Sequence, residues 1–294
     1  MSPFSWLPSN RVPSQRWNAR RRCKPAVEEL EGRAVPSGLP SPDHIVVVVE
    51  ENKAYGQIVG STSAPYINSL INGPNAALFT NSFALTHPSL PDYLQLFSGS
   101  DQGVTNDNPP MPFSTPNLGA ELLGSGRTFA SYAESMPSVG YTGMSSGNYV
   151  RRHVPSVFWQ GGATNGIPAA DNQPFTSFPT DLSTLPTVAY VIPNLVNDMH
   201  NGPVAQGDAW LQRNLGGYVQ WAQSHNSLLV VTFDEDDSSM SNQIPTLFYG
   251  AHVKTGSYSE RITHYTMLRT LESLYGLACT GSSCSVSAIS DIWN

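Results

Sequence analysis

Residues His44-Ile45-Val46-Val47-Val48-Val49 form an unbroken, mostly β-branched run that passes straight into Glu50-Glu51-Asn52-Lys53. A strand with no polar alternation is buried on both faces, the situation of an inner strand in a parallel sheet covered by helices. Such a strand obliges the rest of the chain to supply neighbours on both edges and a helical layer on each face. The chain reads that way. Residues 64–72 read as helix, 76–84 as extended, 117–123 as helix with Gly124 as its stop, and 128–133 as extended. A strand at 187–192, a helix at 208–223, strands at 228–233 and 244–249 and an amphipathic helix at 265–277 follow. Strands alternating with helices predict an α/β fold with a largely parallel central sheet. Open sheets of this kind place their chemistry at the carboxyl ends of the strands, where Glu50 and Glu51 stand.

The second feature is Thr86-His87-Pro88-Ser89-Leu90-Pro91-Asp92-Tyr93. Two prolines restrict the backbone on either side of Ser89, and Pro91 suits a first helical turn. Leu90, Tyr93, Leu94 and Phe97 recur at helical spacing and Gly99 closes the segment, so a short buried helix begins at Ser89. Its hydroxyl lies at the positive end of that helix, as a nucleophile or as a cap. His87 either orients this elbow or meets substrate. Asp92 either points into the site or faces away and charges the helix start.

Three strands end in candidate metal ligands: Glu51-Asn52, then Asp198 with His200, then Asp234-Glu235. Parallel strand ends converge on one edge of the sheet, and hard oxygens with a few imidazoles suit Zn²⁺, Ca²⁺, Mn²⁺ or Mg²⁺. Asp234-Glu235-Asp236-Asp237 by itself is usually a solvated turn. The loop-rich stretch 138–180 carries Arg151-Arg152-His153, where His153 is a candidate substrate contact or simply exposed. No Gly-rich phosphate loop with Lys-Ser/Thr occurs, which argues against P-loop chemistry.

Charge separates the chain into two parts. Residues 1–40 hold seven Arg and Lys against three Glu, whereas the rest holds eight basic and 19 acidic residues. An acidic body disfavours nucleic acid as a partner. Residues 1–42 read as a disordered basic leader and 43–294 as one catalytic domain. No run approaches the ~20 apolar residues of a membrane span. Residues 22–37 resemble an N-terminal tag of exported bacterial proteins, which implies a secreted or cell-envelope location. Cys279 and Cys284 flank a short loop that a disulfide would close, with two free thiols as the alternative.

Together, Glu51-Asn52, the Thr86–Tyr93 elbow, Pro193-Asn194 with Asp198-Met199-His200, Thr232-Phe233-Asp234-Glu235-Asp236 and Thr263-His264-Tyr265 resemble the bacterial phosphoesterase family, which includes secreted acid phosphatases and phospholipase C enzymes. The resemblance implies an alkaline-phosphatase-like α/β/α sandwich of three layers. It makes Ser89 a nucleophile that is transiently phosphorylated, with Glu51, Asn52, Asp234 and Glu235 holding the metal beside it. Asp198, His200 and His264 match positions that hold a second ion in some relatives. In others the matching histidines face the phosphoryl or leaving group, and both readings stand. The implied activity is a metal-dependent phosphomonoesterase acting on a small phosphorylated substrate. A phospholipase C or phosphodiesterase acting at a phospholipid head group is the first alternative, and an exported, non-catalytic binder of metal or phospho-ligand the second.

Overall fold

A computed structural model describes residues 38–109 and 111–294. All but the last five residues of the basic leader lie outside the described residues, as does Cys23. Leu39 already packs against the core and Pro42 is buried, so packed chain begins slightly ahead of Asp43.

The first half runs β1 (His44–Glu50), α1 (Tyr55–Ile58), α2 (Pro65–Ile71), β2 (Ala76–Phe79), β3 (Ser82–Phe83), α3 (Ser89–Ser98), α4 (Leu118–Gly124) and β4 (Phe129–Ala133). The second half runs β5 (Ser145–Ser146), β6 (Tyr149–Val150), β7 (Asn172–Pro174), β8 (Val188–Ile192), α5 (Val204–Ser224), β9 (Ser227–Phe233), β10 (Thr246–Gly250), β11 (Gly256–Tyr258), β12 (Ile262–Thr263) and α6 (His264–Leu274). Eight strands form one sheet in the order β11-β2-β10-β9-β1-β8-β4-β7. β1 lies in the middle, parallel to β8 on one side and β9 on the other, and every residue from Ile45 to Glu50 is buried.

Alternation along β1 divides the core. Ile45, Val47 and Val49 join Leu90, Leu94, Phe97, Leu268 and Leu271 on the face covered by α3 and α6. Val46 and Val48 join Ile67, Leu211, Leu215 and Val219 under α2 and α5. The result is the expected three-layer α/β/α sandwich with a mostly parallel sheet. Two details differ from the sequence reading. The stretch 76–84 is two short strands parted by a turn, and β10 runs antiparallel to both β9 and β2. Hydrophobic period identifies a strand but carries no information about its direction.

α3 is buried along its whole length. It ends at Gly99, whose φ of 69° and whose position 2.1 Å (from an added Cβ) from the Thr280 carbonyl oxygen leave room for no side chain. Thr280 belongs to the loop between Cys279 and Cys284, which are joined by a disulfide. Ser282 N donates to Gly99 O at 2.7 Å, so this closed loop abuts the far end of the Ser89 helix.

Candidate active site

Glu51 lies at the centre. It leaves β1 in line with the face that α3 covers and is fully buried. Its Oε2 accepts from the Ser89 hydroxyl at 3.2 Å, and its Oε1 accepts from the Tyr93 hydroxyl at 2.5 Å. Ser89 and Tyr93 are one helical turn apart, so one face of α3 presents both hydroxyls to one carboxylate. Pro88 is the N-cap of α3, which frees the Ser89 side chain from capping. Glu235 Oε1 lies nearer, at 2.9 Å, so the single Ser89 proton is directed between the two carboxylates.

Asn52, the next residue, adopts the left-handed conformation with φ 47°, which asparagine tolerates better than most residues. Its backbone N–H donates to Asp234 Oδ1 at 3.1 Å and its amide nitrogen to Glu235 Oε1 at 2.8 Å. Asp234 and Glu235 follow directly on β9, so neighbouring strand ends deliver Glu51, Asn52, Asp234 and Glu235 to one place. His87, with a side chain 40% exposed, sets Nδ1 2.5 Å from Glu235 Oε2 at the mouth of this cluster. Of the acidic run, only Asp237 is exposed. Asp236 is buried and ties down its own loop by accepting from Ser238, Met240 and Asn242 N–H groups.

A second cluster shares Glu51. His153, in a 3-10 turn at Arg151–His153, is 1% exposed and stacks on Tyr93 at 5.4 Å between ring centroids. Its Nε2 lies 3.2 Å from Glu51 Oε1 and its Nδ1 3.2 Å from Asp198 Oδ2. Asp198 Oδ1 accepts from His200 N–H at 2.8 Å, and the His200 ring stands 5.8 Å from that of His153 at the exposed rim. His153 is therefore enclosed between two acids and is not a solvent-facing loop residue.

Asp92 and His264 lie elsewhere in the cluster. Asp92 is fully buried and spends Oδ1 on the N–H groups of Leu85 (2.9 Å) and Thr86 (3.3 Å), tying down the chain that enters the elbow. Burial pushes its carboxyl up to about 9, so it is held neutral. It is the one acid in the first turn of α3; its Oδ1 also lies 3.6 Å from His264 Nε2 and its Oδ2 makes no hydrogen bond among the described residues. His264, also buried, uses Nε2 to meet the Asp234 backbone carbonyl at 2.6 Å, and burial lowers it to about 4. In this arrangement it braces the Asp234 segment.

The electrostatics of the centre are one-sided. Burial first, then Asp234 and Asp198, push Glu51 well up. Burial also raises Asp234 and Asp198 to about 7 each and raises Glu235. Among the described residues, buried Asp234 Oδ2 and Asn52 Oδ1 have no hydrogen-bond partner, while Glu235 Oε2 meets only His87 and His153 Nε2 only Glu51. Carboxylates gathered out of water with unused oxygens are the surroundings a divalent cation satisfies. Glu51, His153 and Asp198 also bring their donor atoms within 4.8 Å of one another. The grouping that fits a metal by this geometry is thus Glu51 with His153 and Asp198, on the far side of Glu51 from Ser89. Sequence reading missed the part played by Tyr93, although its i+4 spacing from Ser89 was the available signal.

A mostly parallel α/β/α sandwich with a serine at a helix start facing strand-end carboxylates is a fold shared with proteins of the alkaline phosphatase superfamily. A protein of that superfamily from Vibrio parahaemolyticus superposes with a TM-score of 0.55 at 13% identity, covering 86% of this chain and 72% of that one. Residues 62–278 match the phosphoesterase family, and the chain belongs to it as a phosphoric ester hydrolase. A phosphatidylinositol-3-phosphatase of Mycobacterium tuberculosis is 51% identical over 260 residues, 87% of this chain and 85% of that one. An acid phosphatase of Aspergillus fumigatus is 30% identical over 220 residues, 69% of this chain but 49% of the fungal protein.

Proposed function

We propose that the chain is a metal-dependent phosphomonoesterase that works through a phosphoserine at Ser89. The observation that carries this reading is the Ser89 hydroxyl set within hydrogen-bond reach of both Glu51 and Glu235, at the start of a wholly buried helix. The proton points at carboxylates able to take it, leaving oxygen lone pairs for attack on phosphorus. Attack forms the Ser89 Oγ–P bond and breaks the ester P–O bond; the leaving oxygen departs from the opposite side as the alkoxide and takes a proton from water. The helix dipole and the Ser89 N–H at the start of α3 favour the charge on the phosphoryl oxygens, since Pro91 has no N–H and the Leu90 N–H donates to Asp107. Water then cleaves the phosphoserine, with His200 at the rim and neutral His153 as the groups able to move a proton. Glu51, Asn52, Asp234 and Glu235 would hold a divalent cation, whose charge lowers the pKa of a nearby hydroxyl and draws phosphoryl oxygens.

The relatives named as phosphatases support a monoester substrate over the phospholipase C reading. The 51% relative supports a phosphorylated inositol lipid as one candidate among small phosphorylated molecules. The Cys279–Cys284 disulfide supports work in an oxidising, extracytoplasmic compartment. Among the described residues no helix is long and apolar enough to cross a membrane.

The test is metal analysis of the purified chain with three substrates: p-nitrophenyl phosphate, its bis ester, and vesicles carrying phosphatidylinositol 3-phosphate. Bound divalent metal and turnover of monoesters alone are expected. Cleavage of the bis ester but no monoester would make the protein a phosphodiesterase. Full activity in a metal-free, chelated sample would remove the metal from the reading.

A further inference from the structure

The exposed loop residue Asp107 sits beside the nucleophile in a position that an anion would favour. Its Oδ1 accepts from the backbone N–H of Leu90, the residue after Ser89, at 3.2 Å. Its Oδ2 lies 3.7 Å from Nε of Arg152. That Nε is buried and makes no hydrogen bond. Asp107 and Arg152 line a cavity of about 130 Å³, several times the space one water needs. The neighbouring Arg151 also lines it, but its guanidinium is engaged with the Thr142 carbonyl at 2.8 Å and lies over the Phe158 ring. Arg152 immediately precedes His153, which is held between Glu51 and Asp198, and Asp107 links the cavity to the Leu90 N–H beside Ser89.

We propose that Arg152 and the Leu90 N–H bind oxygens of the transferring phosphoryl group, and that the Asp107 carboxylate stands in for that group until substrate displaces it. This rests on the phosphomonoesterase reading above. A carboxylate bridging a backbone N–H and a guanidinium copies part of what a phosphoryl group does with the same donors. The stand-in is weakly held, because a 3.7 Å pair that is partly exposed contributes little. A phosphoryl dianion brings more charge and three oxygens, so it competes well for Arg152, whose planar fork suits it. Asp107 then acts as an internal competitor, and Arg152 as a catalytic residue that touches substrate.

The experiment measures inhibition by inorganic phosphate during p-nitrophenyl phosphate hydrolysis, using the full chain with its metal. Asp107→Ala should tighten both the phosphate inhibition constant and KM, by about three- to tenfold, because it removes the competitor. Asp107→Asn, which keeps an acceptor for Leu90 N–H without the charge, should fall between wild type and Asp107→Ala. Arg152→Gln should weaken phosphate inhibition and lower kcat/KM by about tenfold or more, with partial recovery in Arg152→Lys. Phosphate inhibition unchanged or weaker in both Asp107 variants overturns the proposal while leaving the functional reading in place. A wild-type chain that hydrolyses no phosphomonoester overturns both.

Discussion

The two sides of Glu51 are built from different kinds of chain. On the nucleophile side, Asn52, Ser89, Asp234 and Glu235 come from the ends of β1 and β9 and the start of α3, and their donors are almost all oxygens. On the far side, His153 and Asp198 come from a 3-10 turn and a loop, and a buried imidazole stands between two acids. One carboxylate joins them, with Oε2 on Ser89 and Oε1 on Tyr93 and near His153. The difference separates duties. Hard oxygens around a hydroxyl suit cation binding and nucleophile activation, whereas a neutral imidazole can move a proton or ligate a borderline metal.

The largest effect expected from this division is at its joint. Glu51→Gln should lower kcat/KM on the order of a thousandfold or more, because one neutral amide replaces the acceptor used by both sides. A loss below tenfold would mean that the sides do not depend on their shared carboxylate. Asp234→Asn and Asp198→Asn then separate them. Both should lose metal, each from its own side of Glu51, with about a hundredfold lost in rate for the first and about tenfold for the second. Full metal content in either variant, read by elemental analysis, would remove that side from cation binding.

Metal removal should reverse a pH trend. Burial raises Asp234 and Asp198 to about 7, above ordinary unfolded carboxylates. A group raised on folding contributes stability that is present below its unfolded pKa and is lost as pH rises through the folded value. Chelated protein should therefore melt at progressively lower temperature as pH rises from about 4 through about 7. Metal-loaded protein should not, since the cation then favours the charged carboxylates. Parallel melting curves with and without chelator would break the link between these acids and a cation. The smallest effect belongs to Asp237→Asn. This exposed acid sits past the cluster, hydrogen-bonded to Gln57, and activity should stay within about twofold.

How much of this was legible in the sequence follows from the same division. The β-branched run placed β1 at the centre, and acids at strand ends marked Glu51, Asn52, Asp234 and Glu235, because strand direction carries side chains to a known edge. The elbow around Ser89 was legible because prolines and helical spacing fix local geometry. His153, Arg152 and Asp107 lie in segments with no period, so their approach to Glu51 and Leu90 is decided by tertiary packing alone. Asp92 shows the intermediate case. Its helical position is legible, but its environment depends on the Leu85–Thr86 backbone folding over it.

The central claim is that Ser89 carries the phosphoryl group. Acid-quenching the metal-loaded chain during turnover of a phosphomonoester, followed by peptide mass spectrometry, tests it directly. The account predicts a phosphoryl group on Ser89 in wild type and none in a Ser89→Ala variant that remains folded and has lost nearly all turnover. Vigorous turnover by Ser89→Ala, or a phosphoryl group trapped on a histidine in wild type, would contradict it.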